Sequence, residues 1–129
     1  MKIKFLLSAI VLVLSSFMGA HAQNKIEVNS KQANALLQKD AKIIVVDVRT
    51  PEEFNQGHIK TAINIDVYQS DAISKIDKLN KNAKYLVYCR TSNRSGFVVD
   101  HMIKGGFKNV YQMIDGFPGW AANKLPFQK

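Results

Sequence analysis

The sequence predicts an α/β fold with a mainly parallel sheet and helices on both of its faces. Two observations carry this. Ile43-Ile44-Val45-Val46 and Tyr85-Leu86-Val87-Tyr88 are continuous apolar runs, the pattern of strands buried on both faces. Around them lie segments with apolar residues at helical spacing, so strands and helices alternate. The chain has 129 residues, 47% apolar and 22% charged. That is enough for one domain, and the balance excludes disorder and collagen-like repeats.

The elements follow in order. Residues 1–4 hold two lysines, residues 5–19 are almost wholly apolar or small, and Ala20-His21-Ala22 has the small-x-small form of a signal-peptidase site. The apolar run is short for a membrane span, and no stop-transfer pattern follows. No cysteine stands at the cleavage site to take a lipid. Residues 1–22 therefore read as a signal peptide and residues 23–129 as the working domain. The domain is expected in a periplasm or outside the cell, with no stable membrane insertion after cleavage.

Residues 25–28 form a short strand. Ser30 is placed as the N-cap of a helix with Ala33, Leu36 and Leu37 on its apolar face. The first apolar run is a strand that Asp47 ends. Thr50-Pro51-Glu52-Glu53 then supplies an N-cap, a proline at the first helical position and first-turn acids. This short helix stops near Gly57. Residues 62–65 read as a strand, and Ala72, Ile73, Ile76 and Leu79 keep helical spacing. The second apolar run is a strand ending at Cys89. A polar loop from Arg90 to Arg94 leads into a helix over residues 95–104, with Phe97, Val98 and Met102 inward. Gly105-Gly106 stops it. Residues 110–113 are the last strand, and Phe117-Pro118-Gly119-Trp120 opens a final helix.

The net charge of +8 points to no nucleic-acid partner. Lys75, Lys78, Lys81 and Lys84 lie three apart and read as a solvated helix face. No aromatic residues interleave with them.

In open α/β sheets ligands bind beyond the carboxyl ends of the strands. Two apolar strands end there in reactive side chains, Asp47 and Cys89. Cys89 heads a loop that feeds a helix. Free N–H groups and the helix dipole favour an anion at that place, and Arg90 and Arg94 add positive charge. The same donors suit an anionic substrate, Arg94 most directly because it stands where the helix begins. The residues thus describe a nucleophilic cysteine in an anion cradle. The alternative is a buried structural cysteine, which the adjacent Arg-Thr-Ser-Asn-Arg argues against. Asp47 and Arg49 are assigned to bracing strand ends, His58 to a structural hydrogen bond and Trp120 to the core. One cysteine excludes an intramolecular disulfide, a CxxC centre and a cysteine-based zinc site. With no histidine pair at ligand spacing, neither metal nor cofactor is expected.

Three ordered stretches resemble the single-domain rhodaneses, a sulfurtransferase family. The first is Val46-Asp47-Val48-Arg49-Thr50-Pro51-Glu52-Glu53-Phe54 with Gly57-His58-Ile59 and Ala62-Ile63-Asn64. The second is Tyr88-Cys89-Arg90-Thr91-Ser92-Asn93-Arg94-Ser95. The third is Gly106-Phe107, Val110-Tyr111 and Asp115-Gly116-Phe117-Pro118-Gly119-Trp120. The resemblance spans about residues 26–120. It implies five parallel strands flanked by helices. It also implies a persulfide mechanism: Cys89 takes the outer sulfur of an anionic donor such as thiosulfate, and cyanide or a thiol removes it. Arg90, Thr91, Ser92, Asn93, Arg94 and Ser95 would bind the donor and cradle the persulfide.

Phosphatases related to that family use C-x5-R, whereas the spacing here is C-x4-R, a tighter ring better suited to sulfur. Ser92, Thr61 and Asp115 stand where many members have glycine. At Ser92 a strained φ would cost a serine about 1 kcal/mol. Two rival readings are a non-catalytic binding or regulatory module and a small cysteine phosphatase or arsenate reductase. Turnover of thiosulfate or of a phosphate ester separates them.

Overall fold

The computed structural model describes residues 25–129. The signal peptide read from residues 1–22 lies outside them. Five strands form one parallel sheet: β1 (Ile26–Val28), β2 (Ile44–Asp47), β4 (Ile63–Asn64), β5 (Lys84–Tyr88) and β6 (Asn109–Met113), in the order β1-β6-β5-β2-β4. The two apolar runs are neighbours at its centre, where both faces need cover.

Side-chain alternation along these strands builds two cores. Val46, Val87 and Cys89 face one way, packed with Val98, Val99 and Met102 of α4 (Asn93–Lys104) and Ile76 of α3 (Ala72–Asp77). Val45, Leu86 and Tyr88 face the other, packed with Ala33 of α1 (Ser30–Lys39) and Trp120 of α5 (Gly116–Ala122). The expected α/β architecture, parallel sheet and two helical faces are all present.

The helix starts differ from expectation by a residue or two, each for a local reason. Asn29, not Ser30, caps α1: its side chain accepts from the Gln32 amide, and Gln32 accepts from the Asn29 amide. Ser30 is instead buried, donating to Asp115 Oδ2 at 2.7 Å and accepting from Asn123 Nδ2 at 2.8 Å. Helix α4 begins at Asn93 rather than Ser95. Phe97, expected inward, is 58% exposed, because the buried face falls on Ser95, Val98, Val99 and Met102. The lysine series is not one helix face. Lys75 is in α3, Lys78 caps its end and Lys84 opens β5, paired with Asp40.

Helix α2 (Pro51–Gln56) starts as the sequence requires, with Thr50 and Glu53 closing a capping box over Pro51. It is followed by β3 (His58–Ile59), which pairs antiparallel with β7 (Phe127–Gln128). Neither two-residue strand is legible from periodicity. Thr61, in the turn between β3 and β4, has φ +70°, a conformation that a β-branched residue adopts only under strain.

Candidate active site

Residues Asp47 and Tyr88 are Cα partners across β2 and β5, and the Val48 amide donates to the Tyr88 carbonyl at 3.0 Å. This register brings Asp47 and Cys89 to the same carboxyl end of the sheet, with Tyr88 opposite Asp47 and Cys89 one residue further on.

Asp47 and Arg49 are both buried and bonded through two guanidinium nitrogens: Nη2 to Oδ2 at 2.7 Å and Nε to Oδ1 at 3.0 Å. Arg49 Nη2 also donates to the Gly57 carbonyl at 2.7 Å. Its guanidinium carbon lies 4.5 Å from the Phe117 ring centroid and 5.5 Å from that of Tyr88. Burial works against the charge of Arg49, but the hydrogen bonds and charge of Asp47 outweigh it, so its pKa is raised. Burial, helped by the Asp47 carboxylate, also lifts the Tyr88 phenol above its ordinary range. The Tyr88 hydroxyl accepts from the Ile59 amide at 3.0 Å. The Asp47–Arg49 pair thus ties the end of β2 to the Gly57 carbonyl.

His58, buried too, makes local contacts. Its Nδ1 bonds the Phe54 carbonyl at 2.8 Å, its ring stacks on Phe54, and Nε2 accepts from the Gln128 amide at 3.2 Å.

Cys89 follows β5 and has no exposed surface. The Ser95 amide, in the first turn of α4, donates to Sγ at 3.3 Å, and the thiol reaches Ser95 Oγ at 3.4 Å. An amide aimed at the sulfur from a helix N-terminus is the anion-favouring arrangement expected there. Burial itself was the mark of the structural alternative, so here one sulfur is both covered and set against a helix amide. The segment that follows, Arg90, Thr91 and Ser92, is exposed. Ser92 has φ −133° and ψ −5°, so it carries no positive-φ strain.

One polar side chain that the sequence reading passed over, and one backbone amide, hold this loop. Gln112 of β6, 1% exposed, donates to the Ser92 carbonyl at 2.9 Å and to Ser95 Oγ at 3.0 Å. The signal was present as a lone amide in the otherwise apolar Val110-Tyr111-Gln112-Met113. From the other side, the Phe117 amide donates to the Cys89 carbonyl at 2.9 Å. Gly116 makes this close approach possible. It has φ +65°, and a Cβ there would collide with the Arg90 carbonyl.

The two loop arginines have different surroundings. Arg94 is held by Glu53 through both nitrogens, Nη1 to Oε1 at 2.7 Å and Nη2 to Oε2 at 3.0 Å. Its guanidinium carbon lies 5.3 Å from the Tyr68 ring centroid. The hydrogen bond from Arg94 holds the Glu53 carboxyl at about 2, against an ordinary 4.5. Arg90 is exposed and makes no ion pair among the described residues. It lines a cleft of about 360 Å³ with Arg49, Glu53, Gln56, Phe117 and Pro118. The donor contact expected most directly of Arg94 thus meets a guanidinium whose two terminal nitrogens are each bonded to a carboxylate oxygen. Asn93 and Thr91 stay local, the Asn93 amide donating to Thr91 Oγ1 at 3.4 Å. Among the described residues no three His, Cys, Asp or Glu side chains converge as a metal site, and no helix is long and apolar enough to cross a membrane.

A family model described as "Rhodanese-like domain" matches residues 29–123. The chain is 33% identical over 87 residues to "Thiosulfate sulfurtransferase GlpE" of Coxiella burnetii, covering 67% of this chain and 79% of that protein. Among solved structures it is similar to a rhodanese-related protein from Thermoplasma volcanium, with TM-score 0.71 and 26% identity over 80% of this chain and 97% of the other. It is also similar to the polysulfide-sulfur transferase of Wolinella succinogenes, with TM-score 0.69 and 25% identity over 83% of this chain and 81% of that one.

Proposed function

The chain belongs to the rhodanese-like domain family, and from that premise we propose that it is a sulfurtransferase working through a persulfide on Cys89. The observation that carries the reading is the Ser95 amide at 3.3 Å from Sγ; the next residue after the cysteine, the unpaired Arg90, lines a cleft.

In this reaction the Cys89 thiolate attacks the outer sulfur of a donor such as thiosulfate. A new S–S bond forms to Cys89, the donor's own S–S bond breaks, and sulfite leaves with the electron pair. The persulfide is again an anion, so the amide that favours the thiolate also favours the intermediate. Cyanide or a thiol then takes the terminal sulfur and restores the thiolate. Arg90 draws the anion to the cleft, while Asp47, Arg49 and Gln112 keep loop and strand ends in register. Because Sγ is covered, the segment of Arg90, Thr91 and Ser92 must shift for the donor to reach it.

The proposal extends to location. The basic start, apolar run and Ala20-His21-Ala22 support an exported protein, whose amino terminus after export would lie at or near Gln23.

The test is the intact mass after exposure to thiosulfate, polysulfide or an alkyl persulfide. One added sulfur atom on the Cys89 peptide, removed by cyanide as thiocyanate and absent in Cys89→Ser, is the expected result. A wild type that gains no sulfur from any of them rejects the reading in favour of a binding module.

A further inference from the structure

The charges lining the cleft do not match the number of arginines around it. Arg49 is cancelled by Asp47, and Arg94 by Glu53. Among the lining residues that leaves Arg90 with the one uncompensated charge. Glu53 is no mobile surface carboxylate. Its Oε1 also accepts from Thr50 Oγ1 at 3.2 Å within the capping box, and its side chain is 27% exposed. An incoming dianion must therefore either displace a fixed carboxylate from Arg94 or share the cleft with it. The attacking Cys89 thiolate adds a further negative charge.

We propose that Glu53 is a specificity-determining residue that matches the cleft to singly charged sulfur donors, such as persulfides and thiosulfonates, over doubly charged thiosulfate. The inference rests on the persulfide reading above. In each case Cys89 takes the outer sulfur. A sulfinate leaves from a thiosulfonate, a thiolate from a persulfide and sulfite from thiosulfate, so atoms and charge balance alike. The donors differ in the charge they bring beside Glu53.

Methanethiosulfonate and thiosulfate form a suitable pair, since a methyl group replaces one charged oxygen on the same sulfur centre. In the wild type kcat/KM for methanethiosulfonate should equal or exceed that for thiosulfate. Glu53→Gln keeps a side-chain oxygen for the capping box and removes the charge. A lost negative charge acts about twice as strongly on a dianion as on a monoanion, so the thiosulfate-to-methanethiosulfonate ratio of kcat/KM should rise about tenfold, through KM. A merely structural role would lower both donors together. An unchanged ratio in Glu53→Gln, or a higher thiosulfate KM, overturns the proposal. So does a wild type that already prefers thiosulfate tenfold, which needs no variant to fold. Loading of wild-type Cys89 in the same samples separates these outcomes from failure of the sulfurtransferase reading itself.

Discussion

Gly116 lies against the carbonyl of Arg90 so closely that no β-carbon fits between them. This contact fastens the start of α5 to the segment that carries the cysteine. Gly116→Ala combines that collision with an alanine at φ +65°. It should cost at least about 2 kcal/mol and lower the rate of Cys89 loading in the molecules that remain folded. Urea unfolding and the mass assay measure the two effects. A variant as stable and as reactive as the wild type would show that the loop tolerates a shifted turn.

The buried Asp47–Arg49 pair should be strongly asymmetric to mutation. Asp47→Ala leaves a buried guanidinium with the Gly57 carbonyl as its remaining hydrogen-bond partner and should cost about 3–5 kcal/mol. Replacing both residues by apolar ones of similar volume should cost less than that single change. Denaturant titration of both variants tests the order.

Acid should act through Glu53. Its carboxyl lies at about 2 when folded, against an ordinary 4.5, so the folded state holds fewer protons than the unfolded one across that interval. The stability from the Arg94 pair is therefore complete above pH 4.5 and is lost as pH falls toward 2. Glu53→Gln should show a shallower loss between those values. Identical slopes would mean that the ion pair contributes nothing in solution.

Thr61 offers a gain. With φ +70° and an exposed side chain, it carries a backbone penalty that glycine does not. Thr61→Gly should stabilise the protein by about 1 kcal/mol, net of the extra chain entropy, seen as a raised Tm. A fall in Tm would point to contacts of the threonine methyl as the larger effect.

The legible features were those written in consecutive residues. The central strands announced themselves by unbroken β-branched and aromatic runs, and Thr50, Pro51 and Glu53 specified the start of α2 within four positions. Cys89 and Asp47 were visible as polar breaks at the ends of apolar runs. What escaped depends on distance along the chain. The partners Glu53 and Arg94 are 41 residues apart, and Gln112 reaches back 20 to Ser92. Phe97 was misplaced because the α4 periodicity fits more than one phase. The phase was fixed by Ser95 turning in toward Cys89 and Gln112, which a local pattern does not encode. Whether Ser92 is strained was not legible for a related reason: φ there follows how the loop meets α4. At Thr61 the missing glycine did leave a positive φ.

The complete cover over Cys89 makes its chemistry a timing device. A thiol without surface reacts with a soluble alkylating agent only during excursions that uncover it. When closure outpaces alkylation, the labelling rate reports the equilibrium fraction of uncovered molecules. When alkylation wins, it reports the uncovering rate. One chain with one thiol then records the motion of its own loop without an attached probe. The same concealment lowers the frequency with which two copies can join through a disulfide, since that bond requires β-carbons about 4 Å apart.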